Sequence, residues 1–229
     1  AGLATEVKGE TIPMGDNNLN YTVREPLGVI ARIVAYNHPL MFAALRIAAP
    51  LAAGNTVVVK SPDQAPLSIL RLAELIGGLF PAGVVNFLCG GRECGEALAV
   101  HPLVRKITLI GGVPTGKAVM RSAAEGLKPV LLELGGNNAM IVLDDADLKV
   151  AVESVAQSAF FSTGQRCTAS SRVIVTEGIH DKFVEALADL ESRKAELDSQ
   201  IKAAIFVKNL VEAGNAHALK ANGREARTV

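Results

Sequence analysis

The sequence has no tryptophan, two tyrosines and seven phenylalanines, so aromatic residues make up 4% of the chain. That is too few to build the stacking platform on which single-stranded nucleic acid is held. Neither charge is in excess: 23 Lys and Arg stand against 23 Asp and Glu. The balance excludes a polybasic nucleic-acid binder and an acidic disordered tail. Three cysteines, an odd number, do not make a disulfide framework and fit a reducing, cytoplasmic setting. Long hydrophobic runs are missing too. The longest, residues 40–59, is broken by Arg46, Pro50, Gly54 and Asn55, so no membrane span is expected. Residues 1–20 carry charge and lack an apolar core, so no secretory leader is expected either. The chain begins with Ala rather than Met, as a processed chain or one cut from something longer would.

What is present is apolar: 49% of 229 residues are hydrophobic, enough to bury one large core or two small ones. Short β-branched runs alternate with helical patterns, the signature of an α/β fold with a largely parallel sheet. Strands are predicted at 28–36, 55–60, 84–88, 106–110, 130–134, 139–143 and 172–176. Helices are predicted at 39–53, 65–78, 93–100, 115–124 and 147–161, the last capped from the Asp144–Asp147 cluster. Beyond residue 179 a run of apolar residues at spacings of three and four predicts one long amphipathic helix, or two helices with an unmarked turn.

Five places carry residues suited to chemistry. Cys167 lies in a polar turn, Ser162-Thr163-Gly164-Gln165-Arg166-Cys167-Thr168, where Arg166 favours a thiolate, the soft nucleophile for a carbonyl carbon; a buried structural cysteine is the alternative. Cys89 and Cys94 lie on or beside apolar segments and read as structural. Glu133 ends an apolar strand before Gly135-Gly136. Burial there would raise its pKa and suit it to general-base work, while an ion pair with Lys or Arg is the other reading. Asn37, after strand 28–36, can donate its amide to an oxyanion or cap the following helix. Lys60 and Asp63, at the end of strand 55–60, can hold ribose hydroxyls or form a surface ion pair. Gly111-Gly112-Val113-Pro114-Thr115-Gly116-Lys117 follows a strand and opens a helix, as a phosphate-binding turn does. Its next residue is Ala118, where a P-loop needs Ser or Thr, so a triphosphatase is disfavoured. His38 and His101 have no second ligand at helical spacing, and no metal site is expected.

The order of these pieces resembles the NAD(P)-dependent aldehyde dehydrogenase superfamily. The stretches that carry the resemblance are REPLGVIARIVAYNHP, AAPLAAGNTVVVKSPDQAP, FPAGVVNFLCG, HPLVRKITLIGGVPTGK, LELGGNNAMIVLDDADL and GQRCTA. The resemblance implies a Rossmann-like parallel sheet with helices on both faces: a cofactor-binding domain over 1–134, truncated at its N-terminus. A partial second α/β, catalytic domain with a helical tail over 135–229 completes the expectation. It implies Cys167 as nucleophile, Asn37 with the Cys167 backbone N–H as oxyanion hole, and Glu133 as general base. Lys60 and Asp63 would meet the adenosine ribose; Gly111, Gly112 and Gly116 would lie on the cofactor turn, with Tyr36 and Gly135 also beside the cofactor. The implied activity is oxidation of a small-molecule aldehyde to an acid with NAD, NADP being possible, through a thiohemiacetal and a thioester. The family context implies a homo-oligomer.

The sequence departs from the family in several places. Gly112 stands where Ser is usual, Ser61-Pro62 inverts the usual order, and Asp63 replaces a Glu. Asp63 favours NAD, because a carboxylate there repels the 2′-phosphate of NADP. Family members are also about twice as long, and no Glu-x-Phe-Gly-Pro segment, the family's second ribose contact, is found here. The chain therefore reads as truncated at both ends, and a catalytically inactive dinucleotide-binding piece is the alternative reading.

Overall fold

The computed structural model describes residue 2, residues 4–190 and residues 192–193. The chain divides into two compact units. Of the described residues, the first comprises those up to Gly136 together with Gln165–Thr168; the second comprises Asn137–Gly164 and those from Ala169 to residue 193.

The first unit opens with a feature the composition did not announce. Strands β1 (Thr11–Ile12) and β2 (Asn20–Tyr21) form an antiparallel pair. Each is only two residues long and mostly exposed, too short for an alternating hydrophobic pattern. The main sheet follows. It contains β3 (Val29–Ile33), β4 (Thr56–Lys60), β5 (Val85–Leu88), β6 (Val104–Gly111) and β7 (Val130–Leu134). Their order is β5-β4-β3-β6-β7, and every pairing is parallel.

The crossovers are α1 (Pro39–Ala52), α2 (Leu67–Ile76), α3 (Arg92–Val100) and α4 (Val113–Ala124). Two cores separate them by face. Val34, Val57, Val59 and Ile110 pack with Phe42, Ala43 and Ile47 of α1 and Ile69 of α2. Ala31, Ile33, Ile107 and Leu109 pack with Leu98 and Ala99 of α3 and with Val119 and Ala123 of α4. Covering both faces is what lets consecutive valines such as Val57–Val59 be strand residues. Each fully buried Val or Leu contributes roughly 1.5–3 kcal/mol.

The predicted elements stand within a few residues of the observed ones. Strand 28–36 is shorter, because the chain leaves the ladder after Ile33 and turns into α1. Strand 106–110 extends to Val104–Gly111. The chain proceeds from β3 outward through β4 to β5, then returns to β6 beside β3. Strand order thus reverses between β3 and β6, which is where open parallel sheets bind ligands, beyond their carboxyl ends.

In the second unit, β8 (Asn138–Val142) pairs parallel with β9 (Ser170–Val175), joined through α5 (Leu148–Phe160). Asp147 caps α5, its carboxylate accepting from the Val150 N–H at 3.0 Å, so the acidic cluster supplies the expected cap. Residues 177–190 are helical, and Ile179 and Phe183 pack with Val142, Val152 and Val155. From residue 194 onward the predicted tail lies outside the described residues. Among the described residues, no helix is long and apolar enough to cross a membrane.

Candidate active site and cofactor cleft

Because β3, β4, β6 and β7 are parallel, their carboxyl ends share one edge of the sheet. Asn37, Lys60, Gly111-Gly112 and Glu133 are carried to that edge by strand direction alone. Gln165–Thr168 belongs to the same unit. Cys167 is exposed, and none of the three cysteines is in a disulfide.

Asn37 does not cap α1. The cap position is His38, which makes no side-chain capping bond and is followed by Pro39 at the first helical position. Asn37 instead donates from Nδ2 to the Gln165 carbonyl at 2.8 Å. Its Oδ1 is buried without a partner. The Cys167 turn is thereby tied to the end of β3. Just before it the backbone is left-handed at Ser162, Thr163 and Gly164, with φ of 54°, 56° and 71°. For a β-branched Thr this is a strained conformation, which the glycine beside it adopts readily.

Glu133 corrects an expectation. It is not buried: its side chain is 51% exposed, so the desolvation argued from its apolar strand is not met in this structure. β7 is an edge strand, and its outward residues Leu131 and Glu133 lie open. The ion-pair alternative is observed instead, with Arg46 Nη2 3.5 Å from Glu133 Oε1. Arg46 is the only charged residue of α1. In the sequence it registered only as an interruption of an apolar run, although a lone charge in an apolar helix was the signal available.

Arg46 has a neighbour of its own sign. Arg32, mid-strand in β3, is 5% exposed. Burial, reinforced by the charge of Arg46, pulls its pKa down to about 10. Its Nε has no partner, nor has Thr108 Oγ1, the residue paired with Arg32 across β3 and β6.

Lys60 ends β4 with its side chain 7% exposed. Its Nζ donates to the Ser61 carbonyl at 3.0 Å and to Asp63 Oδ1 at 3.4 Å. Asp63 is held below the usual carboxylate range by a backbone hydrogen bond first, then by Lys60. The pair is no ordinary surface bridge, since one partner is buried. Ser61 is fully buried and donates from Oγ to Sγ of Cys89, which is itself exposed, at 3.2 Å.

Beside this pair lies a cleft of about 590 Å³ between α3 and α4. Its walls are small residues one helical turn apart: Gly95 and Ala99 on α3, Ala118 and Ser122 on α4. Lys60 and Asp63 stand among its lining residues. A Cβ on Gly95 would lie 3.8 Å from the Lys60 stem, so α3 runs directly alongside the lysine. The i,i+4 spacing of small residues was the sequence signal for this cleft.

The glycine turn has two parts. Gly112 is the cap of α4, with Val113 and Pro114 opening the helix. Gly116 is buried, and a Cβ there would stand 3.0 Å from both Leu134 methyls, so this glycine allows α4 to close onto β7. Gly135 and the Tyr36 side chain are exposed at the same sheet edge.

Comparisons with known proteins agree on one family. The model of the aldehyde dehydrogenase family matches residues 1–225. The aldehyde dehydrogenase tropH of Talaromyces stipitatus is 52% identical over 194 residues, covering 83% of this chain and 38% of that protein. The putative aldehyde dehydrogenase DhaS of Bacillus subtilis is 44% identical over 190 residues, covering 82% of this chain and 38% of its own length. Among solved structures, PnpE of Pseudomonas sp. WBC-3 in complex with nicotinamide adenine dinucleotide superposes with a TM-score of 0.79 at 42% identity, over 82% of this chain and 39% of that one. The NAD⁺ complex of a Bacillus cereus aldehyde dehydrogenase gives 0.80 at 41%, over 82% of this chain and 39% of that one. The chain thus spans about 38% of the length of the curated relatives it matches.

Proposed function

The chain belongs to the aldehyde dehydrogenase family, and from that premise we propose that it oxidises an aldehyde to a carboxylic acid with NAD, using Cys167 as nucleophile. The observation that carries this reading is the bond from Asn37 to the Gln165 carbonyl, which fixes the cysteine turn beside a side-chain amide. The first unit is the cofactor-binding part in this reading, and the second belongs to the catalytic domain.

The α3–α4 cleft fits the adenosine half of the cofactor. It is walled by small residues and has a buried lysine and a carboxylate at one end, a donor and an acceptor for ribose hydroxyls. NAD, when bound, supplies the hydride acceptor. The protein supplies the rest. The Cys167 thiolate adds to the aldehyde carbon, and the oxygen of that carbon takes up the negative charge. The Asn37 amide and the Cys167 backbone N–H donate to this oxyanion; preorganised donors of this kind are worth roughly 10²–10³ in rate each. Once Cys167 is acylated as a thioester, Glu133 takes a proton from water, and the hydroxide so formed expels the thiolate and yields the acid. The substrate is a small-molecule aldehyde. A cytoplasmic, homo-oligomeric enzyme accords with the cysteine usage and the family context. Formation of NADH by the chain, lost in Cys167→Ala, tests the proposal.

One observation favours a second reading. Glu133 is half exposed in a chain that spans 38% of its relatives' length, as it would be in a dinucleotide-binding piece that turns nothing over. Binding of NAD without aldehyde-dependent NADH formation would select it.

A further inference from the structure

Resting on the cofactor reading above, we propose that Glu96 determines cofactor choice: by holding Arg92 it withholds an exposed cation at the ribose end of the cleft, and so selects NAD over NADP. Both residues line the cleft on the first turns of α3. Arg92 Nε lies 2.6 Å from Glu96 Oε1, a pair one helical turn apart.

The two cofactors differ only at the ribose 2′ position, a neutral hydroxyl in one and a phosphate in the other. A hydroxyl suits what is there. It can donate to Asp63 and accept from Lys60. A phosphate brings about two negative charges at neutral pH and needs cations. Lys60 is already shared between the Ser61 carbonyl and Asp63 Oδ1. Asp63 Oδ2 stands 3.7 Å, and Glu93 Oε2 3.0 Å, from where a Cβ on Gly91 would be, so two carboxylates flank the start of α3. With Glu96 the local count is three carboxylates against Lys60 and Arg92. Arg92 is 83% exposed along its side chain and long enough to turn toward a phosphate, but its charge is already met by Glu96.

Isothermal calorimetry of the whole chain with 5′-AMP and with adenosine 2′,5′-bisphosphate tests this. The wild-type chain should prefer AMP. Glu96→Gln should raise the affinity for the bisphosphate relative to AMP by about fivefold, the effect of removing one exposed charge near an anion. Adding Arg92→Met to Glu96→Gln should abolish that gain. An unchanged ratio in Glu96→Gln, a gain that survives Arg92→Met, or a wild-type preference for the bisphosphate would overturn the inference while leaving the cleft a nucleotide site. Failure of the wild-type chain to bind either nucleotide would overturn the cofactor reading, and the inference with it.

Discussion

Asn37 and Gln165 stand 128 positions apart in sequence and are joined by a hydrogen bond of 2.8 Å, from the Asn37 amide to the Gln165 carbonyl. The bond uses one of the two amide hydrogens of Asn37 and leaves the other for a substrate oxygen. It couples the placement of the cysteine turn to the end of the central strand β3, the most deeply buried strand of the sheet. Replacing Asn37 by Ala should lower kcat for aldehyde oxidation by about 10²–10³-fold with a smaller change in KM. Asn37→Asp keeps the shape but not the donor and should be as impaired. Steady-state kinetics check both, and a kcat within a few-fold of wild type in either would remove Asn37 from the oxyanion site.

Glu133→Gln keeps the shape of the side chain and deletes the base. Acylation of Cys167 should proceed and hydrolysis should stall, so intact-protein mass spectrometry should find an acyl adduct that Cys167→Ala lacks. Fast steady turnover by Glu133→Gln, with no adduct, would assign the base elsewhere.

Arg32 is a charge buried without a full set of partners, and folding carries that cost at neutral pH. Its folded pKa of about 10 lies below the ordinary guanidinium value. The folded state therefore releases the proton first. The penalty is complete below pH 10 and is relieved as pH rises above 10 toward the ordinary guanidinium value. Arg32→Met should accordingly stabilise the chain at neutral pH by about 1–3 kcal/mol, raising the urea midpoint. A lowered midpoint would show that the guanidinium contributes a net favourable interaction.

Gly116 and Leu134 pack at a distance that leaves no room for a side chain. Gly116→Val should lower stability by about 1–3 kcal/mol through overpacking, and Leu134→Ala in that background should recover part of the loss. Urea denaturation of the single and double variants measures this. Strictly additive losses would mean that the two positions do not meet.

Most of the first unit's architecture was legible in the sequence. Runs such as TVVVK, apolar on both faces, could only be central parallel strands, and the helices between them then had to cross over. Parallel strands in turn bring Asn37, Lys60, Gly111 and Glu133 to one edge, so their proximity followed from order alone. What was not legible depended on neighbours. Glu133 looked buried because its strand is apolar, but exposure is set by sheet position, and β7 is at the edge. Arg46 looked like an interruption until Glu133 was found opposite it. Asn37 had the local signature of a helix cap, which His38 and Pro39 displaced, freeing its amide for a partner far along the chain. Short-range rules cannot register a bond made across 128 positions.

The most direct measurement is NADH formation by the purified chain with NAD and a panel of aliphatic and aromatic aldehydes, run beside Cys167→Ala. NADH should accumulate in proportion to the wild-type chain and not at all with Cys167→Ala. Equal NADH formation by the Cys167→Ala chain would contradict the assignment of the nucleophile, and a chain that binds NAD yet forms no NADH with any aldehyde would contradict the proposed turnover.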